Sequence, residues 1–510
     1  MAKGKCIMLQ GTSSNVGKSV LCTALCRIFK EDGYLVTPFK AQNMALNSYV
    51  TIDGGEIGRA QGAQAEAAGV EATVEMNPIL IKPKQDMEAQ IIVMGRPYKD
   101  MSAKEYRADY LPKAVGLVKE CIDSLKEKFD VMVIEGAGSP AEINLKDRDI
   151  VNMKAAELAD SPVLLVADID RGGVFASLIG TLELLEPEER DRVKGFIINK
   201  FRGDIDLLKP GLDFLEQKTG KPVLGVIPYL HQHGIDQEDS VSLEERLQDK
   251  GDCNLEIAVI QLPRISNFTD VNALLEAPDI KVRYVKKGEK IGNPDAVLIP
   301  GTKNSIMDLV YLKEEGYFTE IKELAQKGKW IVGICGGYQM LGKWLHDPHG
   351  IEAGIGSVEG LGLLDIETTF LPEKSTHQVQ ARVCSGGGMW KKIEGLPIKG
   401  YEIHMGTTEL GPGAQPLINI NSRSGKEVSI FDGTAAAGGK IFGTHLHGLF
   451  DNSKFLFNWI NSMREEKNLE PLREKDFEVC KREEAYSKAA ANVKKHLDMD
   501  RLYEIMGLKE

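Results

Sequence analysis

The sequence predicts two successive α/β domains, each built around a mainly parallel β-sheet. Short runs rich in Val, Ile and Leu alternate with helical patterns, which is typical of such sheets. Each run is followed by a Gly, Asp or Asn turn. A polar, charged stretch at Leu243–Cys253 separates two such series, and 510 residues are too many for a single core. We therefore expect one domain over 1–245 and another over 252–510.

The predicted strands can be placed from these apolar runs. In the first domain they are Cys6–Leu9, Val131–Ile134, Val163–Ala167, Gly195–Ile198 and Val223–Val226. In the second they are Ile257–Gln261, Ala296–Ile299, Trp330–Ile334 and Lys440–Gly443. The charged segment beyond about Asn468 has a helical pattern, and we assign it to the second domain as a packed extension.

Composition excludes several classes of protein. The net charge of −12 argues against a nucleic-acid partner, which usually selects a basic surface. The first residues lack the apolar core of a signal peptide, and no apolar run has the length of a membrane span. The 8 cysteines are scattered without a C-x-x-C pair, which indicates reduced thiols. We expect a cytoplasmic protein with no membrane partner; the oligomeric state stays open.

A glycine-rich loop, Gly11–Ser19, joins the first predicted strand to an apolar helix. In this context the backbone N–H groups and the helix N-terminus form a phosphate site. Lys18 would reach the outer phosphates, and the Ser19 hydroxyl would ligate Mg²⁺. The loop residues expected at the nucleotide are Thr12, Asn15, Gly17, Lys18 and Ser19. The alternative is a plain surface turn; the spacing between Gly11 and Gly17 is one residue longer than in the usual phosphate loop.

Polar residues end the neighbouring predicted strands. Glu135 and Asp168 each close a buried run, and parallel strands bring their carboxyl ends to one edge of a sheet. Glu135 is the preferred second ligand for Mg²⁺, although a strand-end acid can also be a helix N-cap. Asn199 follows the next strand, where it is either a nucleobase contact or a turn residue.

In the second half, Cys335 lies between an apolar strand and a helix, with Gly333, Gly336 and Gly337 beside it. This is the arrangement of a nucleophile on a sharp turn. The segment after Gly443 supplies two histidines, His445 and His447; alternation places both on one side, so the pattern does not choose the base. Backbone N–H groups of Gly301 and Gly336 are candidate oxyanion donors, the alternative for Gly301 being a plain turn. His404 is either an ordinary strand residue or a group on the substrate side.

Ordered motifs along the whole chain resemble the cobyric acid synthases, glutamine-dependent amidases of cobalamin biosynthesis. The matching segments are Gly11–Ser19, Phe39–Ser48, Ile57–Gly62, Asn77–Pro83, Glu135–Leu145, Asp168–Leu178, Pro300–Asn304, Gly333–Gly342, Tyr401–Gly406 and Gly443–Asp451. The resemblance implies a dethiobiotin-synthetase-like domain, whose phosphate loop has the same extra residue. It also implies a second domain like the class I glutamine amidotransferases.

The resemblance assigns roles to particular residues. His447 matches the catalytic histidine and His445 occupies a position that is usually tyrosine. Gly448 follows His447 where triad enzymes have Pro-Glu, so the resemblance implies a Cys335–His447 dyad and leaves open whether another acid completes a triad. Lys40, Gln42, Asn43 and Arg171 match segments expected to bind a corrinoid, adenosylcobyrinic acid a,c-diamide. ATP with Mg²⁺ and glutamine are implied as co-substrates, with no permanently bound cofactor.

Three other interpretations share some of these features. The related a,c-diamide synthases share both chemistries, but Tyr338-Gln339 and Phe39–Ser48 favour the cobyric acid enzymes. A partition-type ATPase shares the phosphate loop, yet would not carry Cys335 and His447 in a fused domain. A scaffold with an inactive glutaminase domain is the third.

Overall fold

The computed structural model describes residues 4–85, 88–106, 110–230, 234–235, 251–384, 386–474, 477 and 482–509. The strands are β1 (Lys5–Gly11), β2 (Val36–Phe39), β3 (Gln42–Met44), β4 (Ser48–Val50), β5 (Glu56–Gly58), β6 (Ile79–Gln85), β7 (Glu88–Val93), β8 (Arg96–Ser102), β9 (Val131–Glu135), β10 (Val163–Asp168), β11 (Val193–Phe201), β12 (Val223–Pro228), β13 (Leu255–Ile260), β14 (Ile280–Val285), β15 (Ala296–Ile299), β16 (Trp330–Ile334), β17 (Trp344–Asp347), β18 (Gly356–Glu359), β19 (Ile366–Val383), β20 (Pro397–Leu410), β21 (Pro416–Arg423), β22 (Lys426–Ala436), β23 (Ile441–Thr444) and β24 (Leu446–His447).

The helices are α1 (Lys18–Glu31), α2 (Arg59–Ala68), α3 (Ala103–Glu105), α4 (Leu111–Lys128), α5 (Met153–Ala159), α6 (Val174–Glu183), α7 (Pro187–Arg192), α8 (Ile205–Thr219), α9 (Asn272–Glu276), α10 (Ser305–Glu314), α11 (Tyr317–Gln326), α12 (Gly336–Leu341), α13 (Met389–Lys392), α14 (Ser453–Glu466), α15 (Arg482–His496) and α16 (Met499–Met506). Among the helices formed by the described residues, none is both long and apolar enough to cross a bilayer.

The chain divides into two compact units, and neither is one continuous stretch. The first comprises Met1–Ala45, Glu56–Glu238 and Lys481–Glu510; the second comprises Leu46–Gly55 and Asp239–Cys480. The structure therefore differs from the predicted 1–245 and 252–510 division by two exchanged segments. Within the predicted linker Leu243–Cys253, residues 243–250 lie outside the described residues.

The first unit is built on a parallel sheet with strand order β12-β11-β10-β1-β9-β2. The five strands predicted for this half of the chain all lie in it. Its central strands are buried on both faces, which explains their continuous apolar sequences. Helix α1 packs against the sheet through Leu21, Leu25 and Ile28, all buried. A smaller sheet in the same unit has the order β3-β6-β7-β8.

The second unit begins with parallel strands in the order β14-β13-β15-β16-β23, which include the four predicted ones. Beyond β23 the sheet continues through antiparallel strands β22, β21 and β19. This antiparallel part was not predicted. Its strands mix exposed and buried positions irregularly, as along β19, so the apolar runs that marked the parallel strands are missing.

The helical tail packs against the first unit, contrary to the assignment of 252–510 to one domain. Helix α15 buries Tyr486, Ala489, Ala490 and Val493 in the same apolar cluster as α1. The Tyr486 hydroxyl also donates a hydrogen bond to Glu66 Oε2 at 2.7 Å. An amphipathic helix buries its apolar stripe wherever a matching surface exists, and sequence position does not decide which surface that is.

We expect Tyr486→Ala to destabilise the first unit by about 3 kcal/mol because it removes a buried aromatic ring. Tyr486→Phe, which removes only the hydroxyl, should cost about 1 kcal/mol. Faster hydrogen exchange in α1 would report the effect. All 4 tryptophans lie in the second unit, so their fluorescence transition should keep its midpoint. A shift of that transition alone would contradict the placement of the tail.

Candidate active sites

The phosphate loop of the first unit leaves β1 and enters α1 through a left-handed turn. Gly17, immediately before Lys18, has φ +95°, which favours glycine. The Lys18 Nζ donates to the carbonyl oxygens of Ser13 at 3.1 Å and Gly138 at 3.3 Å. A Cβ atom on Gly11 would lie 2.7 Å from the Lys18 Nζ. The loop thus wraps closely around the Lys18 ammonium group, which lies at its centre.

Glu135, at the end of β9, is the centre of a buried polar cluster. Its Oε1 accepts from the Ser19 hydroxyl at 2.8 Å and from the Lys40 Nζ at 3.0 Å. Its Oε2 accepts from the Gln64 Nε2 at 2.6 Å. Burial raises the pKa of Glu135, but Lys40, Gln64 and Ser19 outweigh burial and hold the pKa below its usual value. The carboxylate is therefore ionised at neutral pH beside the predicted metal-binding hydroxyl.

Asn199 lies against the back of the phosphate loop. Its Nδ2 donates to the Val16 carbonyl at 2.8 Å, so part of its side chain supports the loop; a nucleobase contact stays a prediction. The next residue, Lys200, was not singled out from the sequence. Its Nζ donates to the Asn15 carbonyl at 2.7 Å and lies 2.9 Å from Asp168 Oδ2. Lys200 therefore links the loop to the end of β10.

The residues expected to bind substrate differ in their surroundings. Lys40 is buried against Glu135, whereas the side chain of Arg171 is 61% exposed and its Nε lies 3.8 Å from Asp168 Oδ2. The Gln42 Oε1 accepts from the Tyr106 hydroxyl, and the Asn43 Nδ2 donates to Gln61 Oε1 at 3.0 Å. Their role toward a substrate stays a prediction.

The second unit presents Cys335 on a strained turn between β16 and α12. Its backbone has φ +52° and ψ −110°, a region that a residue with a Cβ rarely adopts. Tight packing keeps the turn in place, because a Cβ on Gly337 would lie 2.0 Å from the Ile299 carbonyl oxygen. The Cys335 Sγ lies 3.4 Å from the Ile403 carbonyl oxygen. This packing holds the thiol at the carboxyl end of β16.

His447 adjoins Cys335 and is held by an acid that the sequence analysis missed. Its Nδ1 lies 2.7 Å from Asp270 Oδ2, and Asp270 Oδ1 accepts from the Gly448 N–H at 2.7 Å. Burial lowers the pKa of His447, but Asp270 and the Cys335 side chain, which is within hydrogen-bonding reach, outweigh burial and raise the pKa to about 10. The arrangement is a Cys-His-Asp triad, where the resemblance implied a dyad.

The sheet order explains why the acid comes from 177 positions before the histidine. The parallel strands β13, β15, β16 and β23 are successive neighbours, so the segments that follow them meet at one edge. Those segments carry Asp270, Gly301, Cys335 and His447 respectively. The segment Asn267–Asp270, which follows the first predicted strand of the second domain, contains polar residues that could have indicated this acid from the sequence.

His445 belongs to a different buried cluster. Its Nδ1 lies 2.8 Å from Asp432 Oδ1, its Nε2 lies 3.2 Å from the Thr408 hydroxyl, and its ring stacks on His404 at 4.1 Å. Burial raises the pKa of Asp432, but His445 and Thr444 outweigh burial and lower it to about 2. The geometry therefore favours His447 over His445 as the partner of Cys335.

The two candidate oxyanion donors, Gly301 and Gly336, both lie next to Cys335. Gly336 follows Cys335 directly and begins α12. A Cβ on Gly301 would lie 3.0 Å from His447 Cε1 and 3.7 Å from Cys335 Cβ. Gly301 is thus next to both side chains, and its lack of a side chain keeps that space open. Donation of its N–H to an oxyanion stays a prediction.

Comparison with known protein families agrees with the two units. Residues 7–238 match a CobQ/CobB/MinD/ParA nucleotide binding domain. Residues 256–455 match a CobB/CobQ-like glutamine amidotransferase domain. The fold class expected from the sequence, with a phosphate-loop domain followed by an amidotransferase-like domain, is therefore confirmed.

Curated relatives match along the whole chain. A cobyric acid synthase of Desulforamulus reducens is 63% identical over 510 residues, covering 100% of this chain and 99% of the relative. Cobyric acid synthases of Pelotomaculum thermopropionicum (51% identical, 99% of this chain, 97% of the relative) and Moorella thermoacetica (53%, 99% and 98%) are also similar. The chain therefore belongs to the cobyric acid synthase family.

Proposed function

We propose that this chain converts carboxylates of a corrinoid to amides, using ATP to activate each carboxylate and glutamine as the source of ammonia. The observation that carries the proposal is the triad: Cys335 on its strained turn, with His447 beside it and Asp270 on the far ring nitrogen. The intact triad therefore argues against the alternative of a scaffold with an inactive glutaminase domain.

In the glutaminase half, the Cys335 sulfur attacks the side-chain amide carbon of glutamine. His447 donates a proton to the departing ammonia, and water then hydrolyses the γ-glutamyl thioester to glutamate. Asp270 keeps the Nδ1 side of His447 occupied, so that its Nε2 side serves the reaction. The N–H groups of Gly301 and Gly336 stabilise the oxyanion.

In the synthetase half, the γ-phosphoryl group of ATP passes to a substrate carboxylate, and ammonia displaces phosphate from the acyl phosphate. The loop amides and Lys18 neutralise charge on the transferred group. Ser19 and Glu135 offer a hydroxyl and a carboxylate oxygen 2.8 Å apart, a donor set that suits Mg²⁺. When bound there, Mg²⁺ would supply further charge neutralisation at the phosphates.

The proposed substrate is adenosylcobyrinic acid a,c-diamide, amidated at its b, d, e and g carboxylates. The names of the relatives and the full-length match support this choice. Lys40, Gln42, Asn43 and Arg171 are the residues that we propose for binding this anion.

We expect mass spectrometry of adenosylcobyrinic acid a,c-diamide, incubated with the protein, Mg-ATP and glutamine, to show four successive carboxyl-to-amide shifts. The a,c-diamide synthase alternative predicts no shift of this substrate but two shifts of cobyrinic acid. Hydrolysis of ATP without a shift of either compound would contradict a corrinoid substrate while leaving the nucleotide site in place.

Cys335→Ser should abolish amidation from glutamine and leave amidation from added ammonia intact, because it removes only the nucleophile of the glutaminase half. Cys253→Ser is a matched control, a thiol of the same unit that precedes β13, whereas the site residues follow the ends of the parallel strands. Parallel assays of glutamate release and amide formation would compare the glutamine-supported reaction with the ammonia-supported one. Loss of the ammonia-supported reaction in folded Cys335→Ser would contradict the division of labour between the units.

Asp270→Asn should lower the pKa of His447 below about 10, because it removes the carboxylate charge. We expect glutamine hydrolysis to fall about 10²–10⁴-fold, the usual size of an acid–base contribution. NMR titration of ¹³Cε1-labelled histidine, assigned by the signal missing from His447→Ala, would measure the pKa. The control is Asp365→Asn, which removes a partly exposed carboxylate that pairs with Lys343 and should leave the pKa of His447 unchanged.

The same shift predicts how stability depends on pH. The pKa of His447 in the folded protein lies above its usual 6.5. Protonated His447 therefore stabilises the folded second unit fully below about pH 6.5, and this stabilisation is lost as the pH rises through about 10. Asp270→Asn should therefore destabilise the second unit more at pH 6 than at pH 11. An unchanged His447 titration would contradict the role of Asp270.

A further inference from the structure

The segment Leu46–Gly55 comes from the N-terminal half of the sequence but belongs to the second unit. It interrupts a motif that the sequence analysis treated as one, Phe39–Ser48. The structure divides that motif, with Lys40, Gln42 and Asn43 in the first unit and Asn47 and Ser48 in the second. No role follows for Asn47 and Ser48 from the proposed reaction.

Asn47 and Ser48 hold the loop that carries the triad acid. The Ser48 N–H donates to Asn267 Oδ1 at 2.9 Å. The Phe268 N–H donates to Asn47 Oδ1 at 3.0 Å. Both residues of the segment are completely buried, so these bonds form where water does not compete.

The loop Asn267–Asp270 places one side chain near each ring nitrogen of His447. Asp270 Oδ2 lies 2.7 Å from Nδ1, and Asn267 Nδ2 lies 3.5 Å from Nε2. Asn267 has φ +51°, a left-handed conformation that asparagine adopts more readily than most residues. Because the Ser48 N–H donates to Oδ1, the Nδ2 side of the Asn267 amide faces the ring.

The segment is also fixed to the rest of the second unit. The Gln378 Nε2 donates to the Val50 carbonyl at 2.9 Å. Gly54, with φ +79°, lies so close to the Thr376 carbonyl oxygen that a Cβ there would be 2.7 Å away. The segment is therefore anchored at Val50 and Gly54 independently of Asn267.

From these contacts we propose that Asn47 and Ser48 are positioning residues of the glutaminase site. They act through the loop Asn267–Asp270, which sets the position of His447 for proton transfer to the departing ammonia. The inference rests on the proposed role of His447. It adds that the glutaminase site is incomplete without a segment that precedes it by about two hundred residues in the chain.

Asn47→Ala should lower kcat for glutamine hydrolysis roughly tenfold while KM for glutamine changes less than about twofold, because the acceptor for the Phe268 N–H behind the base is lost. Asn47→Gln keeps an amide acceptor oxygen without adding a charge at this buried position and should restore part of the lost kcat. Amidation from added ammonia should be unchanged in both variants. Ile52→Ala, at an exposed position of the same segment, should leave all these values unchanged.

A double variant tests whether Asn47 acts through the acid. Asn47→Ala added to Asp270→Asn should lower kcat by less than about threefold further, since the interaction it supports is already removed. Effects that multiply fully, or parental kcat in Asn47→Ala, would overturn the proposal. So would equal losses of the glutamine- and ammonia-supported reactions, which would indicate a general structural role.

The outcome is separable from that of the proposed function. If Cys335→Ser retains glutamine use, the proposed function fails before Asn47 is considered. If Cys335→Ser loses it and Asn47→Ala does not alter kcat, only the positioning role fails. Tryptophan fluorescence during thermal unfolding of the second unit would show that each variant is folded.

Discussion

Both candidate sites depend on one constraint, the convergence of parallel strand ends at a single edge of a sheet. In the first unit the neighbours β10, β1, β9 and β2 end beside Asp168, the phosphate loop, Glu135 and Lys40. In the second unit, the triad residues follow the ends of the neighbouring strands β13, β16 and β23, and Gly301 follows β15 between them. Side chains far apart in sequence then need only short turns to meet, and the rigid sheet fixes their spacing.

Burial at these edges sets the chemistry of the charged groups. Glu135 and Asp270 are each almost fully buried, and each has cationic or donor partners that compensate the lost hydration. The partners differ in kind. Glu135 faces the Lys40 ammonium group and the Ser19 hydroxyl, whereas Asp270 faces the imidazole of His447. In the proposed function, similar desolvation thus serves metal binding in one unit and proton transfer in the other.

The sequence was most informative where a feature is local. Nine strands, the phosphate loop and the turn at Cys335 all follow from short patterns, and the structure contains each of them. Gln64 and Lys200 lacked such a signal, and Asp270 had only a short polar segment after a strand, because each acts on a residue that only the folded sheet brings near. The tail helix α15 was assigned to the wrong unit for the same reason: its apolar stripe specifies that it packs, not where. Choosing His447 from the pattern alone was likewise impossible, since His445 has the same phase along the strand.

The exchanged segments give the two units a dependence that a simple pair of domains would lack. Leu46–Gly55 completes the second unit from the N-terminal half, and the tail beyond Lys481 completes the first from the C-terminal end. Any single cut between the halves would therefore leave each unit without a buried piece of its own core or site. In the proposed reaction, ammonia made by one unit is useful only if the other unit is ready to consume it. With the positioning role that we propose for Asn47, the segment behind the glutaminase base continues directly from the synthetase motif, through the backbone between Asn43 and Asn47.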